Sequence, residues 1–271
     1  MSAVDRPFLT RPERLFEAYI FDLDGTVYLG DALLPTAAVT ITALRERGKR
    51  TLFLSNNPTR TRAGYAKKLA RMGLPAPIGE IVNSSYVMVD FLQREMPGAR
   101  LFVVGETSLR EELAAAGFAQ TADAKEVDAV IASFDRTFDY SKLQIAFDAI
   151  NNGARFFATN GDRYCPVPGG GQPDAAAVIA AIEACTNTQV EVIVGKPSSY
   201  MARAILRLTD TPPSECIMIG DRLETDVLMG LNAGMAGALT LTGATGEAEL
   251  AASAIKPTYV IRQLAELLDT E

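Results

Sequence analysis

The stretch Tyr19-Ile20-Phe21-Asp22-Leu23-Asp24-Gly25-Thr26-Val27-Tyr28 decides how the rest of the chain is read. With Ala18 in front of it, the apolar run fits a buried strand that ends in two carboxylates one residue apart, followed at once by a glycine turn. Strand alternation points Asp22 and Asp24 the same way, at the carboxyl end of a sheet. Like charges held that close in a partly desolvated place repel, so one takes a proton or a cation sits between them. Such a pair suits catalysis. The same residues also suit a strand that simply runs into a polar turn, because Asp and Gly are common turn formers.

Working outward, Pro35 stands where a first-turn proline belongs, ahead of a helix that stops at Gly48. A second apolar strand at 51–54 ends in Ser55-Asn56-Asn57-Pro58, and Tyr65, Leu69 and Met72 then line one face of a helix stopped by Gly73. Ser55, Asn56 and Asn57 therefore lie between a strand end and a helix start. Small hydroxyl and amide groups there make either a phosphate cradle or an ordinary helix cap. A short strand at 81–82 and a helix through Val87, Phe91 and Leu92 lead to the turn at Pro97-Gly98, where the strand–helix pattern restarts. Strands are expected at 101–104, 129–132 and 156–158, and Ser108 with Glu111 has capping-box spacing. A loop rich in Pro and Gly follows at 165–173, then a nearly uncharged helix at 174–185. We take 97–187 as an inserted α/β domain, between core segments 1–96 and 188–271.

The last segment returns to the first pattern. A strand at 190–194 ends in Gly195-Lys196-Pro197, and one at 216–219 ends in Gly220-Asp221-Arg222-Leu223-Glu224-Thr225-Asp226. An Ala- and Gly-rich helix, a strand at 238–241 and a final strand and helix within 259–268 close the chain. Strands that alternate with helices imply a parallel sheet, and such sheets bind ligands at the carboxyl ends of their strands. Four strand ends carry functional groups: Asp22 with Asp24, Ser55 with Asn56, Lys196, and Asp221 with Asp226. Alone, Lys196 reads as a solvated lysine and Asp221 as a turn residue. Together they supply a nucleophile, an acid, a phosphate cradle, a cation and metal ligands.

Composition sets the outer limits. A chain of 271 residues, 48% hydrophobic, can bury a core large enough for two domains. No apolar run approaches the roughly 20 residues of a membrane span, and residues 1–15 are too charged and proline-punctuated for a signal peptide. Cys165, Cys185 and Cys216 lie far apart without metal-ligand spacing, which suits a reducing compartment, so a soluble cytoplasmic protein is expected. A net charge of −7 weighs against nucleic acid as a partner. With no histidine in the chain, Ser-His-Asp and Cys-His machinery and histidine-ligated zinc are excluded. Chemistry must run on carboxylates, hydroxyls, amides, lysine or a hard metal.

The ordered set of strand ends resembles the four motifs of the haloacid dehalogenase superfamily, specifically its NagD-like class IIA phosphatases. Asp22-Leu23-Asp24-Gly25-Thr26 looks like the first motif, Ser55-Asn56-Asn57 the second, Gly195-Lys196-Pro197 the third, and Gly220-Asp221-Arg222 through Thr225-Asp226 the fourth. The resemblance implies a Rossmann-like parallel-sheet core with an inserted α/β cap, and a Mg²⁺-dependent phosphatase of small phosphate monoesters such as sugar phosphates or p-nitrophenyl phosphate. Asp22 would be the nucleophile that forms an aspartyl-phosphate, and Asp24 the acid and base. Asp22, the main-chain carbonyl of Asp24 and Asp221 would hold Mg²⁺, with Asp226 behind them. Ser55, Asn56, Asn57 and Lys196 would bind the phosphoryl group, and Thr26 would position its neighbours. Many relatives have a Pro-Gly-x-Gly turn before the last cap helix, where this chain reads Gly169-Gly170-Gly171-Gln172-Pro173. The cap contacts therefore do not carry over. Asn160, Asp162, Arg163 and Tyr164 are candidates from position alone, and a plain surface loop accommodates them equally well. A phosphomutase or other phosphotransferase on the same fold, a weakly catalytic ligand-binding regulator, and a homodimeric assembly stay open at this stage.

Overall fold

The computed structural model describes residues 9–167 and 169–268. The chain divides into two compact units. One comprises the described residues of Met1–Ser55, Ala66–Ile81 and Ala202–Glu271, the other Asn56–Tyr65 and Val82–Met201. The second unit thus extends beyond the insert expected at 97–187. Aromatic packing within it accounts for part of the extension, because Phe91 meets Phe157 and Tyr200 edge-on at 5.0 Å each.

The first unit is built on a sheet with strand order Tyr259–Ile261, Ala236–Thr240, Cys216–Gly220, Ala18–Asp22, Arg50–Ser55, with Ile81, the first residue of the short strand Ile81–Asn83, at its edge. Neighbouring pairs from Tyr259–Ile261 across to Arg50–Ser55 run parallel. Ala18–Asp22 lies in the middle, and every residue in it is buried. Both faces being covered, the strand reads as a continuous apolar run with no alternation of polar residues. Tyr19 stacks on Phe21, and Phe21 on Phe53, at 6.2 Å between ring centroids. From this central strand the chain winds first toward Arg50–Ser55 and later returns on the other side at Cys216–Gly220. That reversal creates a switch point at the carboxyl ends of the two adjacent strands, where neighbouring connections diverge and leave a crevice. Asp22 ends one of these strands, and Asp221 follows the other.

The second unit has a four-stranded parallel sheet ordered Val192–Ile193, Arg155–Ala158, Ala129–Ala132, Leu101–Val104. Phe102, Val104, Val130, Phe156, Val178 and Ile182 are among the residues of its core. Helix Ala175–Thr186 packs there, which explains its near absence of charge.

Several local expectations are corrected. Helix Ala37–Glu46 starts after Thr36, so Pro35 precedes the cap and is outside the first turn. Ser108 caps nothing: helix Thr107–Ala115 begins after Glu106, and Ser108 Oγ donates to the Pro58 carbonyl at 2.6 Å. The Pro- and Gly-rich stretch forms an antiparallel pair, Tyr164–Val167 with Gly170–Pro173, because Gly169 and Gly170 supply positive φ values at its turn. The strand expected at 190–194 in the core sheet shortens to Val192–Ile193 and pairs instead with Arg155–Ala158 at the edge of the second unit's sheet, so Lys196 does not follow a strand of the first unit's sheet. The segment after Asp221 opens with a π-helical turn, Leu223–Val227, and the last element among the described residues is the 3-10 turn Leu264–Leu267.

Candidate active site

In the first unit, one carboxylate oxygen from each of Asp22, Asp221 and Asp226 lies within 4.8 Å of the other two. The three residues are 7%, 3% and 0% exposed. Uncompensated charge at that density and burial is strongly unfavourable, and an all-oxygen donor set is what a hard divalent cation takes. The residues present therefore fit Mg²⁺. The π-helical turn places Asp226 in this group, and its Oδ2 also accepts from the Arg222 amide at 3.2 Å. Gly220 is required opposite it, since a Cβ there would overlap Asp226 Cβ and Cγ.

Asp24 is not part of this cluster. The central strand ends at Asp22, so the alternation expected to align the two side chains does not reach Asp24, which is solvent-exposed. Enough protein surrounds its carboxyl to withdraw water from it, and this desolvation pushes its pKa above the ordinary value; Lys68 and Arg222 pull it partly back. An acid that keeps its proton closer to neutral pH is suited to protonating a leaving group. Thr26 follows in the turn, 1% exposed, and its Oγ1 has no hydrogen-bond partner among the described residues. Ser55, 8% exposed, ends the neighbouring strand Arg50–Ser55.

One feature of this cluster gave no signal in the sequence. The segment Thr242-Gly243-Ala244-Thr245 grips Asp221: the Ala244 amide donates to Asp221 Oδ2 at 2.6 Å, and the Thr245 amide to the Asp221 carbonyl at 3.1 Å. Thr242 Oγ1 donates to the Gly25 carbonyl at 2.6 Å, tying the segment to the turn that carries Asp24. Gly25 and Gly243 both flank the Asp221 carboxylate closely; a Cβ on Gly25 would stand 2.8 Å from Asp221 Cγ, and one on Gly243 2.6 Å from it. Small residues are ordinary loop letters, so only contact reveals their purpose.

In the second unit, Asn56 and Lys196 are held together. Asn56 Oδ1 accepts from the Lys196 amide at 2.7 Å, and its Nδ2 donates to the Lys196 carbonyl at 3.3 Å and to Asp162 Oδ2 at 3.0 Å. Gly195 makes this approach feasible, because a Cβ there would meet the Thr159 carbonyl at 2.6 Å and Asn56 Oδ1 at 2.8 Å. The Lys196 side chain is buried, 5% exposed. Asn57 shapes the turn: its Oδ1 accepts from the Thr59 amide at 2.9 Å and hydroxyl at 2.6 Å, and its carbonyl accepts from Tyr65 Oη at 2.9 Å.

Of the four residues proposed from position, Asn160 is fully buried, and its amide donates to Asp162 Oδ2 at 3.2 Å and Asp174 Oδ1 at 3.0 Å. Thr159 Oγ1 donates to its carbonyl oxygen at 2.9 Å. Its polar atoms are thus committed to fixing the loop, since a buried amide must find partners within the protein. Asp162 is half-buried, while Arg163 and Tyr164 are exposed.

Comparison with known proteins gives the family. A model described as haloacid dehalogenase-like hydrolase matches residues 19–119, and one described as HAD-hydrolase-like matches 193–267. The sugar-phosphatase AraL of Bacillus subtilis is 38% identical over 92% of this chain and 90% of its own. The chain belongs to the haloacid dehalogenase-like hydrolases. Among solved structures, a 4-nitrophenylphosphatase from Thermotoga maritima superposes on this hydrolase with a TM-score of 0.89 at 35% identity, covering 93% of this chain and 96% of the other. NagD from E. coli K-12 superposes with a TM-score of 0.86 at 30% identity, covering 95% and 100%. This haloacid dehalogenase-like hydrolase is a phosphoric monoester hydrolase. Among its described residues no helix is long and apolar enough to cross a membrane.

Proposed function

We propose that this phosphatase hydrolyses small phosphate monoesters, a sugar phosphate or a metabolite of similar size, by a two-step displacement that uses Asp22 as nucleophile and Mg²⁺ as cofactor. The observation that carries the reading is the buried convergence of Asp22, Asp221 and Asp226 at the switch point of the sheet. Asp22 attacks phosphorus; the bond from phosphorus to the ester oxygen breaks, and Asp24 gives that oxygen its proton. Asp24 then takes a proton from water, whose oxygen attacks the aspartyl-phosphate, and inorganic phosphate leaves as Asp22 is regenerated. Asp22, Asp221 and the carbonyl of Asp24 would hold Mg²⁺, with Asp226 beside them. When bound, Mg²⁺ offsets the charge of the converging carboxylates and of the phosphoryl group. Ser55, Asn56 and Lys196 bind phosphoryl oxygens, Asn57 sets their turn, and Thr26 positions the acid's turn. Residues 97–187 act as the cap, in which Asp162, Arg163 and Tyr164 read the alcohol while Asn160 keeps their loop in place.

The names of AraL and of the Thermotoga enzyme support sugar phosphates and p-nitrophenyl phosphate as first substrates. The enzyme is assigned to the cytoplasm, where the free thiols Cys165, Cys185 and Cys216 stay reduced, and a homodimer is the assembly to test by sedimentation. The functional test is phosphate release from a monoester panel in Mg²⁺, with and without EDTA, and with no acceptor alcohol present. Release abolished by EDTA and restored by Mg²⁺ is expected. Release that needs a second sugar as acceptor, or full activity in excess EDTA, refutes the reading.

A further inference from the structure

Lysine is among the residues least often buried, because its ammonium is strongly hydrated. Lys68, on helix Arg62–Arg71, is nevertheless only 6% exposed. Its Nζ lies 3.7 Å from the centroid of the Tyr28 ring and 3.9 Å from Asp31 Oδ1. Both partners belong to the small hairpin that follows the acid, in which Tyr28–Leu29 pairs with Ala32–Leu33. All of these residues lie in the first unit.

Two-residue strands do not hold a hairpin in place by themselves, so something outside it must fix its position. Backbone bonds couple it to the acid's turn: the Gly25 amide donates to the Tyr28 carbonyl at 2.8 Å, the Tyr28 amide donates to the Leu23 carbonyl at 3.1 Å, and Asp24 and Tyr28 form a bridge. Wherever Tyr28 goes, the Asp24 turn follows. The Asp31 side chain is 86% exposed, so its ion pair is screened and weak. The Tyr28 ring is 2% exposed, and a desolvated cation over a ring face is held strongly. Of these two contacts the ammonium over the ring is the strong one, and it acts on the same turn whose Gly25 carbonyl the Thr242 hydroxyl holds at 2.6 Å.

We propose that Lys68 is a positioning residue for catalysis: by clamping the Tyr28 ring it fixes the Gly25–Tyr28 turn and aims the Asp24 carboxyl at the leaving oxygen. The inference rests on the acid role given to Asp24 above. It separates Lys68 from a residue that merely fills space, because the damage should track how much the substrate needs an acid. A nitrophenolate leaves readily without one; a sugar or glycerol alkoxide does not.

The test measures kcat and KM of Lys68→Met, which keeps the stem and removes the charge, on p-nitrophenyl phosphate and on an alkyl phosphate. General acid catalysis contributes about 10²–10⁴-fold. Loss of its aim should therefore lower kcat on the alkyl ester at least about tenfold more than on the aryl ester, with KM on both within about threefold. Lys68→Arg should restore most of the difference, and Tyr28→Leu, which leaves Lys68 in place but removes the ring, should reproduce it. Should Lys68→Met not fold, Tyr28→Leu and Lys68→Arg carry the same comparison. Equal losses on the two esters in the folded variants overturn the proposal. Asp24→Asn is run alongside: if it shows the alkyl-selective loss and the Lys68 and Tyr28 variants do not, the clamp is refuted alone. If Asp24→Asn itself shows no selectivity, the acid role fails and the proposal falls with it.

Discussion

Replacing Gly243 with alanine should damage the enzyme without removing any ionisable group. The added Cβ would overlap Asp221 Oδ2 and stand 2.6 Å from Asp221 Cγ and 2.7 Å from Asp221 Cβ. Because the stem of the side chain is crowded as well as its tip, rotating the carboxylate gives no relief. Asp221 is 3% exposed, and its Oδ2 is already held by the Ala244 amide, so the whole side chain must shift by on the order of 1 Å. A displacement of that size at a catalytic constellation costs about 10²-fold in rate, or about 2.7 kcal/mol of barrier. The overpacking itself should cost about 1–3 kcal/mol of stability. The assay is kcat on a monoester at saturating Mg²⁺, together with the Mg²⁺ concentration for half-activation and a thermal melt. We expect a fall in kcat near 10²-fold, a weaker Mg²⁺ response and a cooperative melt at reduced temperature. A folded Gly243→Ala enzyme with wild-type kcat and Mg²⁺ response would refute the claim that this glycine fixes a working Asp221.

Asp22→Asn preserves size and removes the nucleophilic charge, so turnover should vanish in a folded protein; activity within about tenfold of wild type, a barrier change of only ~1.4 kcal/mol, would rule out Asp22 as nucleophile. Substituting Asp162, Arg163 or Tyr164 should reorder KM among phosphate monoesters while leaving slow p-nitrophenyl phosphate hydrolysis largely intact, and a uniform fall across a substrate panel would move specificity elsewhere. For acid stability, the buried Asp135 carboxyl is pushed up by desolvation. Hydrogen bonds from Lys142 Nζ at 2.6 Å and from Thr137 outweigh that effect and leave its pKa below the ordinary carboxylate value. A depressed folded pKa contributes stability above the unfolded value that is lost as pH falls through the folded one. Lys142→Met should therefore raise the pH midpoint of acid unfolding and cost about 2 kcal/mol at neutral pH, and circular dichroism showing an unchanged midpoint would contradict it.

The sequence by itself determined the fold class and offered the residues to which the chemistry is here assigned. Buried strands write themselves as apolar runs, and a parallel sheet displays its functional groups where those runs end. Asp22, Ser55 and Asp221 were therefore legible from local pattern, and the order of the motifs identified the family. Only the tertiary structure decided which groups come together. Asp226 reaches the Asp22–Asp221 cluster through a π-helical turn whose pitch no local rule specifies, while Asp24, adjacent in sequence, lies outside the cluster because the strand ends before it. Asn160 reads as an available polar contact, yet its amide is committed to Asp162 and Asp174. Gly243 and Ala244 stand more than twenty residues from Asp221 and carry no functional group, so their grip on its carboxylate has no signature in composition or spacing. Lys68 looks like one more solvated cation on an amphipathic helix until burial sets it over Tyr28. Periodicity and turn chemistry are properties of neighbours along the chain, whereas shared ligands, close backbone approach and desolvation belong to neighbours in space.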